Sequence, residues 1–122
     1  TQMDSGMFYG IQQGAISALK VSSSWFSEMN EVYKNRRKLV WKIADTLGCS
    51  YDKNTTGMFV WAKIPTNYKD GYALSDKVLY EANVFITPGG IFGSPGNDYI
   101  RVSLCGSLEK FSEAIKKIKA CV

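Results

Sequence analysis

The sequence contains no histidine. Without imidazole there is no Ser–His or Cys–His nucleophile pair, no histidine acid–base relay, and few routes to a zinc or iron centre. Only three cysteines occur, Cys49, Cys105 and Cys121, and none stands in a C-x-x-C spacing. An odd set of dispersed thiols supports neither a disulfide framework nor a four-thiolate site. The chain therefore reads as a reduced, cytoplasmic protein without a metal. Cys105 and Cys121 are expected to be buried small hydrophobes rather than nucleophiles. No apolar run approaches the roughly 18 residues of a membrane span, and no secretory pattern opens the chain. Paired carboxylates for glycosidase chemistry are also hard to place, because Asp4, Asp52, Asp70 and Asp98 all fall in predicted loops.

What is present is ordinary globular composition: 122 residues, 45% hydrophobic and 21% charged. That length suits one compact domain. A net charge of +4 permits an anionic ligand without demanding nucleic acid. The chain opens at Thr1 with no initiator methionine, so it is expected to be a processed product or a piece of a longer molecule.

Ile11, Ala15, Ile16, Ala18 and Leu19 recur at helical spacing and predict a helix over 8–21. Ser24 is a candidate N-cap for a second, longer helix over 25–47. There Phe26, Met29, Tyr33, Val40, Ile43 and Leu47 stripe one face, and Gly48 supplies a left-handed stop. The aromatic, β-branched run MFVWAKI (58–64) predicts a strand, central because both of its faces are largely apolar. A helix over 73–82 ends at Asn83, a strand over 84–86 follows, and then comes the loop TPGGIFGSPGND. A strand over 99–104 and a helix over 108–120, capped by Ser107, complete the order. The architecture this predicts is α+β, a small mixed or antiparallel sheet packed with helices and preceded by a long helix.

Three features could carry chemistry. The glycine-rich loop around Phe92 and Gly93 lacks both the P-loop and the dinucleotide spacing, but its glycines let backbone approach a ligand closely. Alternation in YIRVSL places Ile100, Val102 and Leu104 on one face and Tyr99, Arg101 and Ser103 on the other. An arginine in mid-strand is either a snorkelling side chain on an exposed edge or a rigid fork for a carboxylate. The basic cluster Lys34, Arg36, Arg37, Lys38 and Lys42 reads as a solvated helix face, since no aromatic is interleaved to stack bases.

The residues also carry a resemblance. VFITPG (84–89) with Phe92-Gly93, followed by YIRVSLC (99–105), closely resembles the C-terminal part of class I/II pyridoxal-phosphate (PLP) aminotransferases. The run GMFVW (57–61) resembles the first small-domain strand of that family, and the opening from Ser5-Gly6 to Leu19 resembles the helix leaving its large domain. The resemblance implies that residues 1–22 end the large domain, that 23–122 form the C-terminal small domain, and that the long helix passes between domains. It implies further that Arg101 binds the substrate α-carboxylate, and that Phe59, Phe92 and Gly93 line the substrate site. Asp4, Ser5 and Gly6 would approach a neighbouring subunit of a homodimer. The family's cofactor lysine lies in a Ser-x-x-Lys-like segment upstream of anything present here. The implied reading is a fragment of an aminotransferase that exchanges an amino group between an amino acid and a 2-keto acid. It would hold no PLP and be inactive alone, with no nucleic-acid or membrane partner. The alternative is a stand-alone, non-catalytic α+β module that binds a carboxylate or a partner protein.

Overall fold

The computed structural model describes residues 6–121, so Asp4 and Ser5 lie outside the described residues. The chain divides into two compact units, Thr1–Glu31 and Val32–Val122. The first contains α1 (Tyr9–Leu19) and the start of α2 (Ser23–Thr46). No residue of α1 is buried, and Phe8, Tyr9, Ile11 and Leu19 are all exposed. The second helix begins earlier than its serine pattern predicts. Ser24 lies inside the first turn, where its hydroxyl meets that of Ser22 at 2.8 Å, while the Trp25 N–H donates to the Ser22 carbonyl. Ser24 is therefore not the N-cap.

The second unit holds the rest of α2, then β1 (Phe59–Lys63), α3 (Gly71–Ala82), β2 (Thr87–Pro88), β3 (Tyr99–Ser103) and α4 (Leu108–Lys119). The three strands form one antiparallel sheet in the order β1-β3-β2. This is the expected α+β class, with one correction: β3 is central and β1 is not. The outward face of β1 is apolar for another reason. Phe59 and Trp61 stay exposed there, while Val60 and Ala62 point into the core. Aromatic residues on a solvent-facing strand mimic the two-sided apolar pattern of a central strand.

The strand expected over 84–86 does not form. The Val84 N–H is used by the end of α3, donating to the Val78 carbonyl, and the Ile86 carbonyl accepts from the Ser75 hydroxyl. With those groups committed, ladder pairing begins only at Thr87. The caps expected for α3 and α4 are present. Asn83 closes α3 in the left-handed region at φ 54°, and the Ser107 hydroxyl accepts from the Lys110 N–H at 3.4 Å.

One core joins the helices to the sheet. Val40, Ile43 and Leu47 of the α2 segment, Leu74 and Val78 of α3, and Phe111 and Ile118 of α4 pack with Val60, Ala62, Ile100 and Leu104. The basic cluster on α2 corrects the expectation of a uniformly solvated face. Lys34, Lys38 and Lys42 are exposed, but Arg36 and Arg37 are half-buried. The Arg36 guanidinium donates to the Leu104 carbonyl at 3.2 Å, and Arg37 donates to the Gly57 carbonyl. Both arginines tie the helix to one end of the sheet, where the start of β1 meets the end of β3.

The cysteines differ from one another more than expected. Cys49 is buried, Cys121 is half-buried with its thiol donating to the Glu81 carbonyl at 3.0 Å, and Cys105 is exposed rather than buried. Cys105 follows the last core residue of the β3 segment, Leu104, at a turn that leaves its side chain in solvent. Burial pushes the Cys49 thiol from 9.0 up to about 11. A mild alkylating reagent at pH 8 should therefore label Cys105 first and Cys49 only on unfolding, as read by mass spectrometry. Because the native state holds the Cys49 proton more tightly, its stabilising contribution is complete below pH 9 and is lost as pH rises towards about 11.

Candidate functional site

The site is built on the outward face of the sheet. Register places Arg101 at the centre of β3, directly opposite Trp61 of β1 on one side and Thr87 of β2 on the other. The period-2 alternation that buries Ile100 and Leu104 turns Arg101 away from the core. A charged group there needs a substitute for lost water. It finds two aromatic rings: the guanidinium carbon lies 4.2 Å from the Phe59 ring centroid and 3.9 Å from that of Phe92. Cation–π attraction to both rings restrains the guanidinium.

The edges of that fork are unclaimed. Among the described residues, the Arg101 side chain makes no ion pair and donates no hydrogen bond. It also borders a concavity of about 360 Å³ beside Thr87, Ser103 and Lys110. Two rings pack against the guanidinium while its N–H donors are left for an acceptor, an arrangement compatible with bidentate recognition of a carboxylate.

Phe92 reaches this position on the loop between β2 and β3, which folds as two short 3₁₀ turns, Gly89–Phe92 and Ser94–Gly96. Gly93 joins them at φ 120°, where a side chain would be strained. Gly89 is required by space: a Cβ there would sit 2.5 Å from the Gly96 carbonyl oxygen, 2.8 Å from that of Tyr99 and 2.9 Å from the Trp61 ring. The loop is thus pinned against β3 and Trp61 at its start, and it presents Phe92 at its exposed bend.

The structure brings Arg101, Phe59 and Phe92 together, with Gly93 adjacent to Phe92 in the same loop. Gly6 belongs to the other compact unit, with φ 74°. Trp61 and Tyr99 are the residues that sequence reasoning left without a role. Trp61 meets Phe92 edge-on with centroids 5.6 Å apart, and Tyr99 meets Trp61 in the same way at 6.4 Å. The signal for Trp61 was its two-residue offset from Phe59, which puts both rings on one strand face. Among the described residues no helix is long and apolar enough to cross a membrane, and no group of three acidic, cysteine or histidine residues could hold a metal.

The antiparallel α+β fold agrees with comparison to known proteins. Residues 6–118 match the family of class I and II aminotransferases, and the chain belongs to that family. It is 35% identical over 119 residues to the LL-diaminopimelate aminotransferase of Oleidesulfovibrio alaskensis, covering 95% of this chain and 30% of that protein. Among solved structures, substrate-bound BacF from Bacillus subtilis superposes with a TM-score of 0.80 at 33% identity, over 94% of this chain and 30% of that one. The aromatic aminotransferase of Pyrococcus horikoshii OT3 gives 0.77 at 34% identity, over 90% and 30%. The chain spans about 30% of the length of the curated relatives it matches.

Proposed function

We propose that Arg101 anchors the α-carboxylate of an amino acid and of the matching 2-keto acid in a PLP-dependent aminotransferase, with this chain as the small C-terminal domain. In this reading residues 23–122 are that domain and 1–22 the end of the preceding one. The observation that carries the proposal is the guanidinium held between Phe59 and Phe92 with its hydrogen-bonding edges unclaimed among the described residues.

The residues present do not fit PLP itself. A lysine that bonds the cofactor needs a desolvated seat that lowers its proton affinity, and none of the lysines in this chain is buried. The cofactor is accordingly assigned to a larger polypeptide, where it would act as the electron sink of the reaction. The chain's own contribution is positional. Arg101 would fix one end of the substrate, Phe59 and Phe92 would exclude water around that end, and Gly93 would let the Phe92 loop adjust. The chain alone is then inactive. The active assembly is a homodimer in which the Asp4–Ser5–Gly6 segment approaches the neighbouring site.

The test is an absorbance titration of a full-length protein carrying this chain, mixed with PLP. A visible cofactor band that an amino acid bleaches and a 2-keto acid restores is the expected result, and the most effective amino acid defines the donor class. Absence of any cofactor band would favour the stand-alone carboxylate-binding module instead.

A further inference from the structure

The rings around Arg101 form a longer series than the two that touch it. Tyr99 lies edge-on to Trp61, Trp61 lies edge-on to Phe92 at 5.6 Å, the Phe92 centroid lies 3.9 Å from the guanidinium carbon, and that of Phe59 lies 4.2 Å from it. The members are not equally fixed. Phe59 and Trp61 stand on β1, hydrogen-bonded to the strand that carries Arg101. Phe92 stands on a loop bend, 49% exposed, beside a glycine hinge at φ 120°.

Phe92 also has somewhere to go. A recess of about 420 Å³ opens beside it, lined by Trp61, Pro95, Gly96 and Tyr99. The Trp61 indole is one wall of that recess. Cutting it back would enlarge the space and remove the edge-to-face contact that holds the Phe92 ring. An arginine with a ring on one side only can tip out of plane, and two parallel hydrogen bonds to a carboxylate require that plane.

We propose that Trp61 is a positioning residue: it holds Phe92 over Arg101 and so sets the plane of the guanidinium fork, without touching substrate. The inference deepens the reading of Arg101 as a carboxylate anchor and rests on it. Trp61 acts at one remove, through a neighbour that the loop alone leaves free.

Two readouts test it. In the 122-residue chain, the Phe59 and Phe92 rings beside Arg101 should shift its side-chain protons upfield in the NMR spectrum. Trp61→Leu should move them towards the position of free arginine, and Trp61→Phe, which keeps a ring, should retain most of the shift. In the full-length enzyme, Trp61→Leu should raise KM for the amino acid about 2- to 10-fold, the scale of one aromatic pair, with kcat unchanged. Trp61→Phe should restore much of that loss and serves if the leucine variant fails to fold. Arg101 protons that stay in place in Trp61→Leu overturn the proposal. So does an unchanged KM in that variant when Arg101→Lys impairs amino-acid use. If Arg101→Lys is itself without effect, the carboxylate-anchor reading fails, and the positioning role falls with it.

Discussion

Arg101→Lys in the full-length enzyme should lower kcat/KM for amino acids by about 10- to 150-fold, equivalent to about 1.5–3 kcal/mol. That is the scale of a charge-assisted hydrogen bond, and the substitution keeps the charge, so the loss reports geometry. Lysine offers a compact ammonium on a flexible stem, whereas a carboxylate bound by a fork receives two parallel bonds. Lysine also lacks a planar, delocalised cation to lie against Phe59 and Phe92 at 4.2 and 3.9 Å, so the ring contacts would fix its ammonium less well. Several amino acids should suffer to a similar degree, because the α-carboxylate is common to all of them. A primary amine without that carboxylate should be processed equally by both proteins. Steady-state kinetics over a panel of amino acids and one such amine checks the claim, and unchanged amino-acid kinetics would remove Arg101 from the site.

Much of this arrangement was legible in the residues. Alternation in YIRVSL separates Ile100 and Leu104 from Arg101 without reference to a structure, and the period of 3.6 in the α2 segment marks Val40, Ile43 and Leu47 as core. What alternation cannot report is what stands across the strand. The arginine's surroundings depend on long-range register, Trp61 against Arg101, and on a loop that curls Phe92 back over the sheet. Periodicity sees a glycine-rich connection there and no ring contact. The same limit explains the misplaced strand at 84–86. Its β-branched composition is genuine, but the hydrogen bonds that Val84 and Ile86 make to α3 come from tertiary packing. Arg36 and Arg37 read as surface charge because their acceptors, the Leu104 and Gly57 carbonyls, lie 68 and 20 residues away in sequence.

The second large effect concerns the scaffold beneath the site. Leu104→Ala should destabilise the chain by about 2–5 kcal/mol, the range for a large aliphatic residue removed from a close-packed core. Leu104 is 0% exposed and packs in the cluster where the helices meet the sheet. Its backbone is anchored independently of its side chain. The N–H donates to the Met58 carbonyl at 2.8 Å, and its own carbonyl accepts from Arg36 at 3.2 Å. Those bonds keep the end of β3 in place and hinder the core from collapsing into the space left by the side chain, which argues for the upper half of the range. Urea unfolding should show a lower midpoint with an unchanged slope, since the surface exposed on unfolding is nearly the same. Against a typical domain stability of about 5–15 kcal/mol, a substantial share is lost. The two predicted effects should nevertheless separate. Arg101 lies against rings on the outward face and Leu104 is buried on the inward one, so Leu104→Ala should reduce the amount of folded protein while each folded molecule retains the carboxylate affinity proposed for Arg101. A loss of affinity per folded molecule would mean that the core side of β3 sets the position of Arg101 as strongly as the rings do.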